Sequence, residues 1–227
     1  MTEPDYHVSP KAWMSIRDAD LLEAILVRLG RRLGRSLRVV EWGAGRSTLS
    51  FTAALDAAGV GWRWLTLEHN RAYFERELEA ALTARGAVVS RWDGHDPALA
   101  AGTDARLHAV VFDHGEALPG QPSGPTAEAV RMGDYVELPG RLWAGCDVAL
   151  VDGRMRRRCL LEASRLVSSE GVVLLHDYHR THYQCAFAAF RSHRVIGYEL
   201  WIGAQRRTRF REVLPPGTQT YPFELVR

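Results

Sequence analysis

Residues 39–51 read VVEWGAGRSTLSF. A β-branched run ends in an acid, Glu41, and passes through Trp42 into a turn carrying Gly43 and Gly45. A helical stretch then opens near Ser47 and Thr48 and stops near Gly59. Glycine at those two positions permits backbone angles, and a closeness of approach, that a side chain would block. The amide groups of the opening helix turn point into the same space, so the segment is predicted to be a strand, a ligand-cradling turn and a helix.

Working outward, the same alternation continues. Upstream, Leu21, Leu22, Ile25, Leu26, Leu29 and Leu33 recur at helical spacing over residues 16–33. Ser15 with Asp18 forms a capping-box pattern and Gly34 supplies the stop. Downstream, strands are predicted at 62–67, 87–92, 107–112, 147–151 and 172–175, with helices over about 70–85, 155–167 and 182–190. Two last strands, near 195–201 and 210–214, lack a helix between them and are expected to form an antiparallel hairpin around a turn at 203–207. Alternating strands and helices imply one α/β domain, 1–227, whose parallel sheet is covered on both faces. Residues 1–35 are its N-terminal helical segment. Residues 97–145, rich in Pro and Gly, are expected to be a long insertion resembling a lid.

Composition narrows the class. The 227 residues are 46% hydrophobic and 25% charged, which is ordinary for a globular chain. Lys and Arg exceed Asp and Glu by 29 − 27 = 2, too even a balance to advertise nucleic acid or an anionic membrane as partner. No apolar run approaches a membrane span, and MTEPDYHVSPKAW lacks the basic start and apolar stretch of a secretory leader, so a cytoplasmic location is expected. Cys146, Cys159 and Cys185 form no CxxC, which disfavours a disulfide framework or structural zinc.

Ligands of open α/β sheets bind beyond the carboxyl ends of the strands. There the sequence places Glu41 through Ser47, Glu68, Asp93, Asp152, and His176 with Asp177. Glu68 follows Gly43 by 25 residues, close to the spacing of a carboxylate that holds ribose hydroxyls. Thr48 stands where the dinucleotide fingerprint has its third small residue, and no GxxxxGK[ST] occurs. Glu41, two residues before the first glycine, would repel a pyrophosphate but could partner an ammonium and a sulfonium. S-adenosylmethionine carries both.

VVEWGAGRSTLSF resembles the first motif of class I S-adenosylmethionine-dependent methyltransferases, and the resemblance extends over about 36–215. It implies a Rossmann-like, doubly wound, mostly parallel seven-stranded sheet closed by the hairpin. In LTLEH it makes Glu68 the ribose-binding acid, and in RWDGHD it sets Asp93 near the adenine. Glu41, Trp42, Gly43, Gly45, Ser47 and Thr48 complete the implied cofactor set. DVALVDGR and VVLLHDYHR are similar to strands four and five of the catechol and caffeoyl-CoA type of O-methyltransferase, whose strand-end acids hold a divalent metal such as magnesium. The matching residues here are Asp152 and Asp177, with Tyr178 where a further ligand is common.

Methyl transfer to a hydroxyl requires a positioned nucleophile and a proton acceptor. HDYHRTHY offers His176, Asp177, His179, His182 and Tyr183. Strand alternation would keep His176 and Asp177 on opposite sides. Asp177 is therefore expected to face the substrate with Asp152, binding a metal or fixing the substrate, with His179 as general base. Arg154, Arg156, Arg157 and Arg158 form a basic run, yet VDGR replaces the [DN]PP[YF] of nucleic-acid amino methylation, so the expected partner is a small molecule. Arg154 could contact an acidic one. A homo-oligomer stays open. The competing readings are a nicotinamide-dependent oxidoreductase, which Thr48 and Glu41 disfavour, and a methyltransferase fold used for another transfer or for binding only.

Overall fold

The computed structural model of the chain describes residues 8–92, 104–112, 132–206 and 210–222. Helix α1 (Ile16–Leu33) leads into β1 (Leu37–Trp42), α2 (Arg46–Ala57) and β2 (Trp62–Glu68). Helices α3 (Arg71–Glu77) and α4 (Glu79–Ala84) precede β3 (Val88–Trp92) and β4 (Leu107–Phe112). After α5 (Gly133–Leu142) come β5 (Cys146–Val151), α6 (Arg156–Leu166) and β6 (Val167–His176). A 3-10 stretch (Thr181–Ala189), β7 (Ser192–Val195) and β8 (Leu200–Ala204) follow, and a 3-10 turn (Phe210–Glu212) ends the described order.

The strands form one sheet in the order β3-β4-β2-β1-β5-β6-β8-β7. Its first six members run parallel, and β8 pairs antiparallel with both β6 and β7. Alternation along the central strands fills two cores. Val39, Trp64, Val148 and Leu174 pack under α1, α2, α3 and α4, while Val40, Leu65, Ala149 and Leu175 pack under α5, α6 and the 3-10 stretch. The doubly wound α/β expectation holds.

The details depart from expectation in four places. The sheet has eight strands rather than seven, because β4 inserts between β2 and β3. The insertion 97–145 thus supplies a buried sheet strand, and its α5 brings fully buried Tyr135 into the core, so the described part of that segment is core rather than lid. Helix 70–85 breaks at Leu78, whose φ of −124° is not helical. The closing strands are 192–195 and 200–204, not 195–201 and 210–214. Asp18 explains this last shift. Its carboxylate accepts from the backbone amides of Tyr198 (2.9 Å) and Glu199 (3.0 Å), fixing a turn at 196–199. A Cβ on Gly197 would run into that same carboxylate. Of the expected capping box, Ser15 Oγ does accept from the Asp18 amide at 3.1 Å, but the Asp18 side chain is spent on the distant turn.

Candidate functional site

The order in which strands are added reverses between the parallel neighbours β1 and β5, and that switch point opens a cleft of about 640 Å³. The two strand ends meet backbone to backbone. The Asp152 amide donates to the Trp42 carbonyl at 3.0 Å, while on the other side of β1 the Gly43 amide donates to the Leu67 carbonyl of β2 at 2.8 Å. Gly43 has φ +102°, and a Cβ there would meet Gly153 N at 2.6 Å and its Cα at 2.7 Å. Gly153 is as tightly placed, with Gly43 N 2.8 Å from where its Cβ would stand. This pair of glycines is demanded by the fold itself.

Gly45 differs. Its φ of −168° is ordinary extended backbone, and a Cβ would sit 3.6 Å from Ser47 Oγ and 4.0 Å from Tyr73 Oη, in normal contact. The residue lines the cleft, so a side chain there would take space from a ligand rather than from the protein. The uncapped first amides of α2 start at the same point.

Glu68 ends β2 on the opposite wall, 4% exposed. Its Oε1 accepts from the Asn70 amide at 2.8 Å, with His69 Nδ1 also 2.8 Å away. Oε2 takes no hydrogen bond among the described residues, which leaves it to a ligand hydroxyl.

Glu41 lies elsewhere than expected. It is fully buried beneath the turn, does not line the cleft, and is closed by four donors. Ser47 Oγ donates to Oε1 at 2.6 Å, and Thr48 Oγ1 (2.6 Å), Trp64 Nε1 (2.9 Å) and Thr66 Oγ1 (2.9 Å) donate to Oε2. Burial pushes its carboxyl up from 4.5 to about 7, against the pull of those four bonds. Thr48 Oγ1 also accepts from the Gly45 amide at 3.2 Å, so Glu41 and Thr48 together brace the glycine turn from below. Trp42 is likewise turned away: its buried indole donates to the Tyr135 carbonyl at 3.0 Å on the other face.

At the ends of β5 and β6 the two expected metal ligands already have a cation. The Arg156 guanidinium stands 3.0 Å from Asp152 Oδ1 and 3.0 Å from Asp177 Oδ2. It also donates to the carbonyls of Gly153 (2.9 Å), His176 (2.7 Å) and Asp152 (2.8 Å), which pins it in place. Arg180 adds a second contact to Asp177 Oδ2 at 2.7 Å. Asp152 and Asp177 therefore do not fit a shared magnesium ion. Carboxylates and imidazoles that do converge lie one step away: Asp18, His176 and Glu199, and Asp177, His179 and Glu199, each with ligand atoms within 4.8 Å of one another.

The alternation argument at β6 fails for a local reason. Asp177 leaves the strand with φ +59°, the left-handed region, which swings its carboxylate to within 3.8 Å of His176 Nδ1. His176, not His179, contacts Asp152: the Nδ1 to Oδ1 distance is 3.0 Å, and its Nε2 is 3.3 Å from Glu199 Oε2. Burial pulls the imidazole pKa down, but the bond to Asp152 and the charges of Asp152 and Asp177 outweigh it, so the value sits above 6.5. His179 is half-exposed, with Nδ1 3.9 Å from Glu199 Oε1.

Of the sequence-based set, Gly43, Gly45, Ser47, Glu68 and Asp152 line one cleft. Glu41, Trp42 and Thr48 form its support, Asp177 and His179 lie outside the lining, and Asp93 falls outside the described residues. Arg156, His176 as partner of Asp152, and the cleft residues Asn70 and Tyr73 are not singled out for these roles by the sequence, which offers Trp13, Trp143 and Tyr135 either as lining over a small apolar substrate or as packing on the sheet flank. Trp13, 75% exposed, lines the cleft, whereas Trp143 and Tyr135 are buried.

No family model matches the chain, and no curated protein is detectably similar in sequence. Among solved structures, a methyltransferase-like protein from Silicibacter pomeroyi superposes with a TM-score of 0.56 at 18% identity, covering 92% of this chain and 100% of that one. The O-methyltransferase TomG from Streptomyces achromogenes, solved with S-adenosylmethionine, has a TM-score of 0.43 at 19% identity, covering 88% and 81%. The first likeness shows that the chain shares that protein's fold, a Rossmann-like doubly wound α/β sheet. No helix among the described residues is long and apolar enough to cross a membrane.

Proposed function

We propose that the protein is an S-adenosylmethionine-dependent methyltransferase acting on a small molecule at a hydroxyl oxygen. One observation carries the reading: Gly45 is a glycine that the protein's own packing does not require, in a turn facing the open Oε2 of Glu68 across the switch-point cleft. When bound, the cofactor supplies a methyl group already activated on sulfonium.

The chain supplies the rest. Gly43, Gly45 and the start of α2 would hold the amino-acid portion, and Glu68 the ribose hydroxyls. Asp152 stands on the cleft wall, with Oδ1 engaged by His176 and Arg156 and Oδ2 without a hydrogen bond among the described residues. That oxygen is the group placed to orient an acceptor hydroxyl and take its proton. Arg156 stands between the two acids and contacts both, and His176 fixes the rotamer of Asp152.

Calorimetric titration with S-adenosylmethionine and S-adenosylhomocysteine tests the reading. Micromolar binding that Glu68→Ala weakens at least about tenfold, the loss expected for a charge-assisted hydrogen bond, supports it. A folded protein that binds neither molecule refutes it.

A further inference from the structure

A second cavity of about 470 Å³ adjoins the cleft and shares Gly153, Arg154 and Arg156 with it. Among the described residues its lining contains Arg154, Arg156, Arg157, Arg158, Arg180 and His182 and no acid. Five guanidiniums thus surround one small space. The first turn of α6 carries no acid, and its N-cap Met155 offers no side-chain bond to the opening amides. Cations at a helix start oppose the helix dipole, each unfavourably. Met155 also holds φ +53°, a conformation that a non-glycine residue keeps only when its surroundings enforce it.

The arginines divide by role. Arg156 is spent on three carbonyls and two carboxylates, so it builds the wall rather than meeting a ligand. Arg158 reaches toward Glu137 at 3.6 Å. Arg157 is exposed and makes no ion pair among the described residues. Arg180 gives one nitrogen to Asp177 while half its side chain stays in solvent. His182 packs on Tyr183 with ring centroids 4.1 Å apart, which sets the imidazole at the cavity edge.

We infer that this cavity is an anion subsite for the acceptor: the small molecule whose hydroxyl reaches Asp152 carries a phosphate or carboxylate, held by Arg157 and Arg180 with the amides that open α6. The planar forks of arginine match both groups bidentately. The assignment of the ligand as acceptor rests on the methyltransferase reading; the anion site itself rests on the cavity.

The test is titration of the full chain with inorganic phosphate and, separately, with succinate, in wild type, Arg157→Gln, Arg180→Gln and the distant control Arg31→Gln. S-adenosylhomocysteine is titrated into each in parallel. The expected result is saturable binding of one or both anions that Arg157→Gln weakens about tenfold or more, with the control unchanged. Preference between the two probes separates a phosphate ligand from a carboxylate ligand. Equal anion binding in Arg157→Gln and wild type, an equal loss in Arg31→Gln, or no binding of either probe overturns the subsite. So does much tighter binding of a single-stranded RNA oligonucleotide, which would make the surface a polyanion track. Anion binding without S-adenosylhomocysteine binding sinks the methyltransferase reading and leaves the anion site standing; the converse overturns the anion site alone.

Discussion

Replacing Glu41 by Gln should make the protein's stability less dependent on pH. The native carboxyl titrates at about 7 instead of 4.5 because burial disfavours its charge. A raised acid pKa means the native state holds its proton longer than the unfolded chain does. Stability is then fullest below the unfolded pKa and falls as pH rises toward the native value. The loss amounts to (7 − 4.5) pH units at about 1.4 kcal/mol each, or about 3 kcal/mol, complete once pH exceeds the native value. For a domain of this size that is roughly 6–12 °C in Tm. Gln keeps the shape: its oxygen can accept from Thr48, Trp64 and Thr66 while its NH2 donates to Ser47 Oγ. Thermal unfolding of wild type and Glu41→Gln, followed by circular dichroism from about pH 5 to about pH 8, reads the difference. His176, whose pKa is also raised, loses its contribution with rising pH in both proteins and cancels in the comparison. Parallel Tm curves for the two proteins would refute the claim that Glu41 is a strained buried acid.

Further outcomes follow from the same geometry. Gly45→Val should leave the fold intact by circular dichroism and abolish S-adenosylhomocysteine binding, whereas Gly43→Val should unfold the protein, since its Cβ has only the Gly153 backbone to meet. Asp147, buried and bound by both Arg35 guanidinium nitrogens at 2.8 and 2.7 Å, has its pKa lowered despite burial. Its stabilisation is present above the unfolded carboxylate pKa and lost as pH falls through the native one. Asp147→Asn should therefore lower Tm at neutral pH by a margin that shrinks in strong acid, and a constant margin would count against it. Because Arg156 already bridges Asp152 and Asp177, adding magnesium or EDTA should leave cofactor affinity unchanged in calorimetry, while Arg156→Leu should lower Tm by removing the cation that both carboxylates share.

Local signals made most of the fold readable. The heptad-like leucines of α1, the β-branched strands and the glycine stops are short-range properties, and they appear where periodicity put them. The errors came from long-range contacts. The turn at 196–199 depends on Asp18, some 180 positions away in the chain. The eighth strand was visible as LHAVVF, yet nothing local says that it enters between β2 and β3. At the site, the acids at strand ends were found because strands end where their apolar runs end. That Arg156 rather than a metal joins two of them was not legible, since four nearby arginines look alike in sequence. Glu41 read as a ligand contact because a buried acid and a lining acid look identical until Ser47, Thr48, Trp64 and Thr66 are seen to surround one.

The placement of β8 has a consequence for biosynthesis. Every residue of Leu200–Ala204 is buried, and the strand seals the flank of β6. Until those residues leave the ribosome, the growing chain presents β6 as a bare apolar edge open to pairing with a neighbour. Asp18, made some 180 residues earlier, must wait for Tyr198 and Glu199 before its carboxylate is satisfied. Closure of this flank thus waits until residues 200–204 have been made, and the parallel strands before them stand with an open edge in the meantime.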